Sequence, residues 1–269
     1  MIHGARKQEV YRSGVWQFEG EVYVPAGTSG ACIMQIFGAA SDLMARSILC
    51  TLLVVVTAVA IGTAHAGDTL TAGFTPVSLT ESQFVVQRPY DVPLDARYEF
   101  IGIRPGGMRQ MWVYSTDKPM SAAHPGGPRT ETKIDEVYRS GVWQFEGEVY
   151  VPAGTSGACI MQIFGAAPER QATTLMLHVY DGRLTFYHDL RRVLTDGVYD
   201  RWLRLNVVHD VGARSVTVFV DGAEVLRSRG HGAPGAAHYF KFGVYKQSHH
   251  HPSDRMESRW RNVRVFTKH

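Results

Sequence analysis

Alternating apolar and polar positions dominate the chain after residue 66. In Trp143–Val151, apolar or small residues recur at every second position, which is the period of a half-buried strand. Ser215–Val220 alternates in the same way and runs through the turn dipeptide Asp221-Gly222 into Glu224–Leu226, which predicts a hairpin. Further strands are predicted at Trp202–Val208 and Trp260–Phe266.

Turn residues separate these segments, and long amphipathic helices are not apparent in the sequence. Asp181-Gly182 and Asp196-Gly197 mark two more turns, and Ser121–Pro128 is a Gly- and Pro-rich connection before a polar segment. Many short strands with such turns favour an all-β fold, namely an antiparallel β-sandwich or jelly roll.

Three segments place polar side chains on one face of their predicted strands. In Arg129–Lys133 the residues at alternate positions are charged. In Cys159–Phe164 we expect Cys159, Met161 and Ile163 to face the core, and Gln162 and Phe164 to face away. In the third segment, Tyr239–Gln247, we expect Phe240, Phe242 and Val244 to face the core. If the three strands are neighbours, one cleft holds Arg129, Glu131, Lys133, Gln162, Phe164, Tyr239, Lys241, Tyr245 and Gln247.

The chain before residue 67 has a different organisation. Residues 44–66 contain Arg46, an apolar run of 15 residues from Ile48 to Gly62, and a small-x-small ending at Ala66, which together predict a signal peptide. Upstream of it, Glu9–Ala40 repeats Glu136–Ala167 without a single change. We expect 1–43 to be a gene-model artefact without function, and 67–269 to be the folded domain. A true second structural unit is the alternative.

Composition narrows the classes of partner. The net charge is +3, and it stays +3 without residues 1–66, which carry four basic and four acidic side chains. This value suits an anionic ligand and does not indicate nucleic-acid binding. Cys159 is the single cysteine after residue 66, so we expect a buried thiol and no internal disulfide.

No metal or other cofactor is expected. His249-His250-His251 lacks spaced cysteine or carboxylate partners, which favours a polar surface turn over a zinc site. Among the other histidines, His178 or His188 is expected to reach the cleft from a neighbouring strand. After removal of a signal peptide we expect no membrane anchor, a monomer, and a location along the secretory route, in the cell wall or the vacuole.

The three polar segments resemble the alginate lyase 2 family of polysaccharide lyases. The family has an Arg-(Thr/Ser)-Glu-x-Arg strand, a Gln-(Ile/Val)-His strand and the motif Tyr-Phe-Lys-Ala-Gly-x-Tyr-x-Gln, and the background sequence is similar to its plant secretory branch, once described as citrate-binding proteins. The matching stretches are FVVQRPYDVPL, MWVYSTDKP, GVWQFEGEVYVPAGTSG and MESRW. The resemblance covers nearly all of 67–269 and implies a concanavalin-like jelly roll whose concave sheet binds substrate.

The resemblance also implies a chemistry, β-elimination on a uronate. In that reaction donors neutralise the sugar carboxylate, a base removes the C5 proton and an acid protonates the departing O4. By resemblance, Arg129 and Gln162 would neutralise the carboxylate, and Tyr245 would act as acid and also as base. Lys241 would favour a tyrosinate by its charge, and Glu131 would orient Arg129.

Two positions depart from the family pattern. Phe164 stands where the family has histidine, and Lys133 replaces the second arginine of the first motif. Phenylalanine cannot accept a proton but can stack on a sugar ring. Two hypotheses therefore stand: a lyase acting on acidic polysaccharide, and a non-catalytic protein that binds cell-wall glycan or a small polycarboxylate such as citrate, with Lys133, Lys241, Tyr239 and Gln247 among the binding residues.

Overall fold

Fifteen strands account for most of the chain that the structure describes, with two short 3-10 helices at Glu81–Gln83 and Leu94–Ala96. The structure is a computed structural model that describes residues 70–102, 107–123, 126–165, 172–231 and 235–268. The strands are β1 (Thr75–Pro76), β2 (Phe84–Gln87), β3 (Tyr98–Ile101), β4 (Met108–Tyr114), β5 (Arg129–Ile134), β6 (Val142–Tyr150), β7 (Ala158–Phe164), β8 (Thr173–Tyr180), β9 (Arg183–Phe186), β10 (Val193–Thr195), β11 (Trp202–Asp210), β12 (Ser215–Val220), β13 (Ala223–Arg229), β14 (Tyr239–Lys246) and β15 (Arg255–Lys268).

The strands form two antiparallel sheets. The larger sheet has the order β13-β12-β11-β6-β15-β4-β3, with β1 added to β15, and the smaller sheet has the order β10-β9-β8-β7-β14-β5-β2. The predicted all-β sandwich is thus confirmed. The predicted segments 1–43 and 44–66 lie outside the described residues, and the helices of the described part are all too short or too polar to cross a membrane.

The core lies between the inner faces of the two sheets. Phe145 and Trp260 from the larger sheet meet Phe240 and Phe242 from the smaller one, with ring centroids 5.8 Å apart for Phe145–Phe240 and 5.2 Å apart for Phe242–Trp260. All four rings are buried. Alternation along each strand produces this packing, because every second side chain points between the sheets.

The predicted hairpin turn has the expected backbone. Asp221 and Gly222 join β12 to β13, and both have positive φ, 51° and 88°. That combination is typical of a type I′ turn, which matches the twist of the strands it connects. Asp181 and Gly182 join β8 to β9 in the same way, with φ of 49° and 77°.

A β-bulge in β7 overturns one expectation about the core. Cys159 pairs with His178 of β8, but Met161 pairs with Leu177, so one residue is inserted between them. Ile160 and Met161 consequently both join the core, and Cys159 turns to the opposite face. Cys159 is buried as predicted, but it does not share the core face with Met161 and Ile163. A bulge has no reliable signature in apolar periodicity.

Candidate functional site

Three neighbouring strands of the smaller sheet carry the polar side chains predicted to meet. β14 lies between β7 and β5. Tyr245 of β14 is opposite Arg129, Lys241 is opposite both Lys133 and Gln162, and Tyr239 is opposite Phe164. Residues directly opposite each other point to the same face of a sheet. We call this surface the site face, and its members are Arg129, Glu131, Lys133, Gln162, Phe164, Tyr239, Lys241 and Tyr245.

A buried carboxylate lies at the centre of the site face. Glu131 has no solvent exposure, and Lys241 and Gln162 are 2% and 1% exposed. Lys241 Nζ donates to Glu131 Oε2 at 2.6 Å, and Gln162 Nε2 donates to Glu131 Oε1. Burial lowers the pKa of Lys241, while the adjacent Glu131 opposes that shift. A buried charge needs a paired and hydrogen-bonded partner, and Glu131 and Lys241 are such partners for each other. Together with Gln162 they form a compact buried unit beneath the surface.

Arg129 is placed differently from the expectation that Glu131 holds its guanidinium fork. The nearest approach is 3.6 Å, between Arg129 Nη1 and Glu131 Oε2, which is an ion pair and too long for a hydrogen bond. Glu131 instead gives its short contacts to Lys241 and Gln162. The Arg129 guanidinium carbon lies 3.8 Å from the ring centre of Tyr245, so the aromatic face supports it.

The end of the Ser121–Pro128 connection packs against this arginine. A Cβ atom added to Gly126 would lie 2.4 Å from Arg129 Nη2 and 3.4 Å from the hydroxyl of Tyr245. A Cβ atom on Gly127 would lie 3.5 Å from the Tyr245 ring. Two glycines therefore let the backbone approach the site face closely at Arg129 and Tyr245.

An aromatic pair lies next to the buried unit. Phe164 and Tyr239 are half-buried and stacked, with ring centroids 5.0 Å apart and an interplanar angle of 20°. Lys133 Nζ is 4.8 Å from the Tyr239 ring centre and also pairs with Asp135 at 2.7 Å. Burial raises the pKa of Tyr239 to about 12, so its phenol stays protonated at neutral pH. This part of the site face offers two half-buried aromatic side chains beside a cation.

Comparison with known proteins identifies the family of this chain. A family profile described as "Alginate lyase" matches residues 77–267. The chain belongs to the alginate lyase 2 family. It is 48% identical over 197 residues to a protein named "Citrate-binding protein" from Hevea brasiliensis, which covers 73% of this chain and 78% of that protein.

Solved alginate lyases share the fold of this family member. An alginate lyase from Pseudomonas aeruginosa superposes with a TM-score of 0.52 at 18% identity, over 71% of this chain and 100% of that one. A second, the family 7 lyase A1-II′ carrying two substitutions and solved with a substrate written GGMG, gives a TM-score of 0.52 at 14% identity, over 68% and 92% of the two chains. At these identities the likeness shows the fold alone.

Gln247 is a predicted site residue that lies outside the named strands of the sheet. It follows the end of β14, and its amide Nε2 donates to the backbone oxygen of Tyr245 at 3.0 Å. Its own backbone N–H donates to Gly157 at 2.8 Å. These bonds tie the residue to the adjoining backbone, and its role in binding stays a prediction.

His178, one of the two histidines that the sequence offered for the cleft, lies in the row that contains Tyr245. Cys159 pairs with Tyr245 on one side and with His178 on the other, so the three residues share the site face. His178 is 1% exposed, its Nδ1 lies 3.1 Å from the hydroxyl of Tyr180, and desolvation lowers its pKa to about 3. Burial also raises the pKa of the Cys159 thiol well above its usual value, so neither group carries charge at neutral pH.

The other histidines of this region lie at its edge. His188 and His249 are exposed and stack with ring centroids 4.3 Å apart, and His250 Nε2 lies 3.0 Å from the backbone oxygen of His188. No group of three or more histidine, cysteine or carboxylate side chains in the described residues is arranged to hold a metal ion.

Sequence reasoning missed Gln87. This residue ends β2 and is paired with Glu131 of β5, which places it on the site face. Its Oε1 atom is buried and has no hydrogen-bond partner among the described residues. Alternation in Phe84–Gln87 separates Gln87 from the core-facing Phe84, but only the pairing of β2 with β5 reveals which site it joins.

Proposed function

We propose that this protein binds acidic polysaccharide on the site face by recognising the carboxylate of a uronate residue. The observation that carries the proposal is the state of Arg129. Its guanidinium carbon lies 3.8 Å from the ring centre of Tyr245, and the adjacent carboxylate of Glu131 takes its hydrogen bonds from Lys241 and Gln162 instead. Arg129 Nε is buried and has no hydrogen-bond partner among the described residues, and the Arg129 side chain as a whole is 12% exposed. A guanidinium with uncommitted donors fits a carboxylate bidentately.

The stacked aromatic pair supplies the second element of a sugar-binding site. Phe164 and Tyr239 are stacked and half-buried, and Lys133 lies against the Tyr239 ring. Aromatic side chains offer a large apolar area with little loss of conformational freedom. A sugar ring lying on Phe164 would bring its carboxylate toward the cations of the neighbouring rows.

β-Elimination makes a further demand that this site meets only in part. It requires a base for the C5 proton and an acid for the departing O4. Phe164 stacks on Tyr239 and offers no proton acceptor, so Tyr245 would have to serve in both roles. Loss of one positioned proton-transfer group typically lowers a rate by roughly 10²–10⁴. We therefore propose binding as the main function, with any elimination slow.

Calorimetric titration of the full chain with uronate oligomers tests the proposal. We expect a binding heat that Arg129→Gln weakens by about tenfold or more, because a hydrogen bond to a charged group contributes about 1.5–3 kcal/mol. Arg227→Gln, which removes an exposed arginine from the larger sheet, is the matched control and should leave binding unchanged. Absence of heat with every oligomer would overturn the proposal.

Incubation with uronate polymers tests whether the protein catalyses β-elimination. Alginate, glucuronan and polygalacturonate are incubated with the full chain while the ultraviolet absorbance of an unsaturated product is followed. We expect little or no product. Rapid product formation that Tyr245→Phe abolishes would contradict the binding assignment and establish a lyase.

Citrate is a second candidate ligand, favoured by the 48% identical relative named for citrate binding. Citrate carries three carboxylates, and the cations Arg129 and Lys133 on the site face have side chains that are 12% and 25% exposed. Lys241, also predicted as a partner, is tied to Glu131 and 2% exposed. Titration with citrate should give a heat that Lys133→Met weakens, and a mono-carboxylate such as acetate should bind far less.

We also propose that the chain enters the secretory route. The support is the sequence pattern of 44–66, which lies outside the described residues. Amino-terminal sequencing of the exported protein should begin at Gly67. Retention of the full chain in the cytosol would contradict this proposal.

A further inference from the structure

The face of the larger sheet turned away from the core carries a stripe of arginines. Along β15, Met256, Trp260 and Val265 point into the core, and the arginines between them point outward. Arg204 joins them from β11. We call this surface the arginine face, and its cations are Arg204, Arg255, Arg259, Arg261 and Arg264.

Three carboxylates lie beneath these cations. Glu257 and Glu146 have side chains only 2% and 4% exposed, and Glu148 is 27% exposed. Glu257 is shared by Arg255 and Arg259, Glu146 by Arg204 and Arg264, and Glu148 pairs with Arg261. Five guanidiniums thus share three carboxylates, which leaves two positive charges uncompensated within the network.

The arginine side chains are more exposed to solvent than the carboxylates with which they pair. The side chains of Arg255, Arg259, Arg261 and Arg264 are 43%, 35%, 40% and 59% exposed. The carboxylates lie below and orient the forks, while the remaining N–H donors are presented to solvent.

Aromatic rings hold the guanidiniums in place. Arg261 lies 4.2 Å from the ring centre of Trp202, Arg259 lies 5.2 Å from that of Tyr150, and Arg255 lies 5.6 Å from that of Trp112. A guanidinium fixed by a carboxylate and a ring loses less freedom when it binds a further anion.

We propose that the arginine face is a second binding surface, which takes the repeated carboxylates of an acidic polysaccharide chain. Side chains two residues apart on a strand recur every 6.6 Å or so, which gives a row of similar anion sites along β15. Guanidinium matches carboxylate in shape and charge. A polymer held here would be anchored on the opposite side of the molecule from the site face.

The charge of the chain favours an acidic polysaccharide over nucleic acid as the ligand of the arginine face. A nucleic-acid surface usually belongs to a strongly basic domain, with a pI above about 9. The whole chain has a net charge of +3 and a pI of 8.7.

Retention of the full chain on immobilised alginate and polygalacturonate tests the inference. The variant Arg259→Gln/Arg261→Gln should weaken retention about fivefold or more, because each exposed charge pair contributes up to about 1 kcal/mol. Arg139→Gln/Arg191→Gln removes the same charge from exposed positions outside the strands and should leave retention unchanged. Circular dichroism and thermal unfolding confirm that both variants fold.

The outcomes are distinguishable from those of the site-face proposal. Short uronate oligomers should bind Arg259→Gln/Arg261→Gln and the unaltered chain equally, whatever their affinity for the site face. Undiminished polymer retention by that variant, or an equal loss in both double variants, would overturn the inference. Tighter binding to duplex DNA or to anionic phospholipid vesicles than to either polymer would overturn the assigned occupant.

Discussion

The two polar faces of the sandwich differ in the solvent exposure of their cations. On the site face, Lys241 is 2% exposed and donates to Glu131, which is fully buried. On the arginine face, carboxylates are buried but the guanidiniums reach solvent, as with Arg264 at 59% exposure above Glu146 at 4%. A sequestered cation fixes the site, whereas an exposed cation is available to a partner. Burial of the cation, more than its presence, separates a supporting residue from a contacting one.

The largest effect should come from breaking the buried pair. Glu131→Ala leaves the Lys241 ammonium buried without its anion, and such removal typically costs about 3–5 kcal/mol. Urea denaturation monitored by fluorescence measures the loss in free energy of unfolding. Glu131→Ala/Lys241→Met should recover much of it. Equal losses in the single and double variants would show that the charge pair is not the cause.

A smaller loss of folding stability is expected at acidic pH. The pKa of His178 and of His209 is about 3 in the folded chain, because burial disfavours the charged ring, against an ordinary value of 6.5. The unfolded chain binds protons first, so this stability is present above pH 6.5 and is lost as pH falls toward 3. From pH 7.5 to 5 the loss is about 2 kcal/mol per histidine.

Urea denaturation of His178→Gln across that pH range isolates one contribution. The variant should lose stability with a shallower slope than the unaltered chain between pH 6.5 and 5. An unchanged slope would mean that His178 is not held neutral on the site face.

The contact between Gly126 and Arg129 should affect binding more than folding. In Gly126→Ala the new methyl carbon would start 2.4 Å from Arg129 Nη2 and displace the flexible guanidinium. We expect uronate affinity to fall by about tenfold, equivalent to 1.4 kcal/mol, with little change in unfolding. Gly212→Ala, which meets only Asp210 at 3.4 Å, is the control. Equal effects of the two changes would contradict the placement of Arg129.

The smallest effect belongs to the arginine face. Arg264→Gln removes an exposed partner from Glu146, which keeps Arg204 and Asn206 as donors. The free energy of unfolding should fall by less than about 1 kcal/mol, and less in high salt. A loss as large as that of Glu131→Ala would erase the contrast between the faces.

Much of this arrangement followed from the sequence. Alternation predicted β5, β6 and β14, and it placed Arg129, Glu131 and Lys133 on one face. It could not predict the bulge that turns Cys159 outward, because one inserted residue leaves no mark in composition. Nor could it choose among the partners of Glu131. That choice depends on which side chains three non-consecutive strands bring within hydrogen-bond reach.

Recognition of the sugar carboxylate through Arg129 is the central claim. Its most direct test is a calorimetric comparison of one uronate oligomer with its methyl ester of equal length, since esterification removes the charge and keeps the ring. We predict that the acid binds and that the ester binds at least about tenfold more weakly, as expected from loss of a charge-assisted hydrogen bond. Equal affinity for acid and ester would contradict the account.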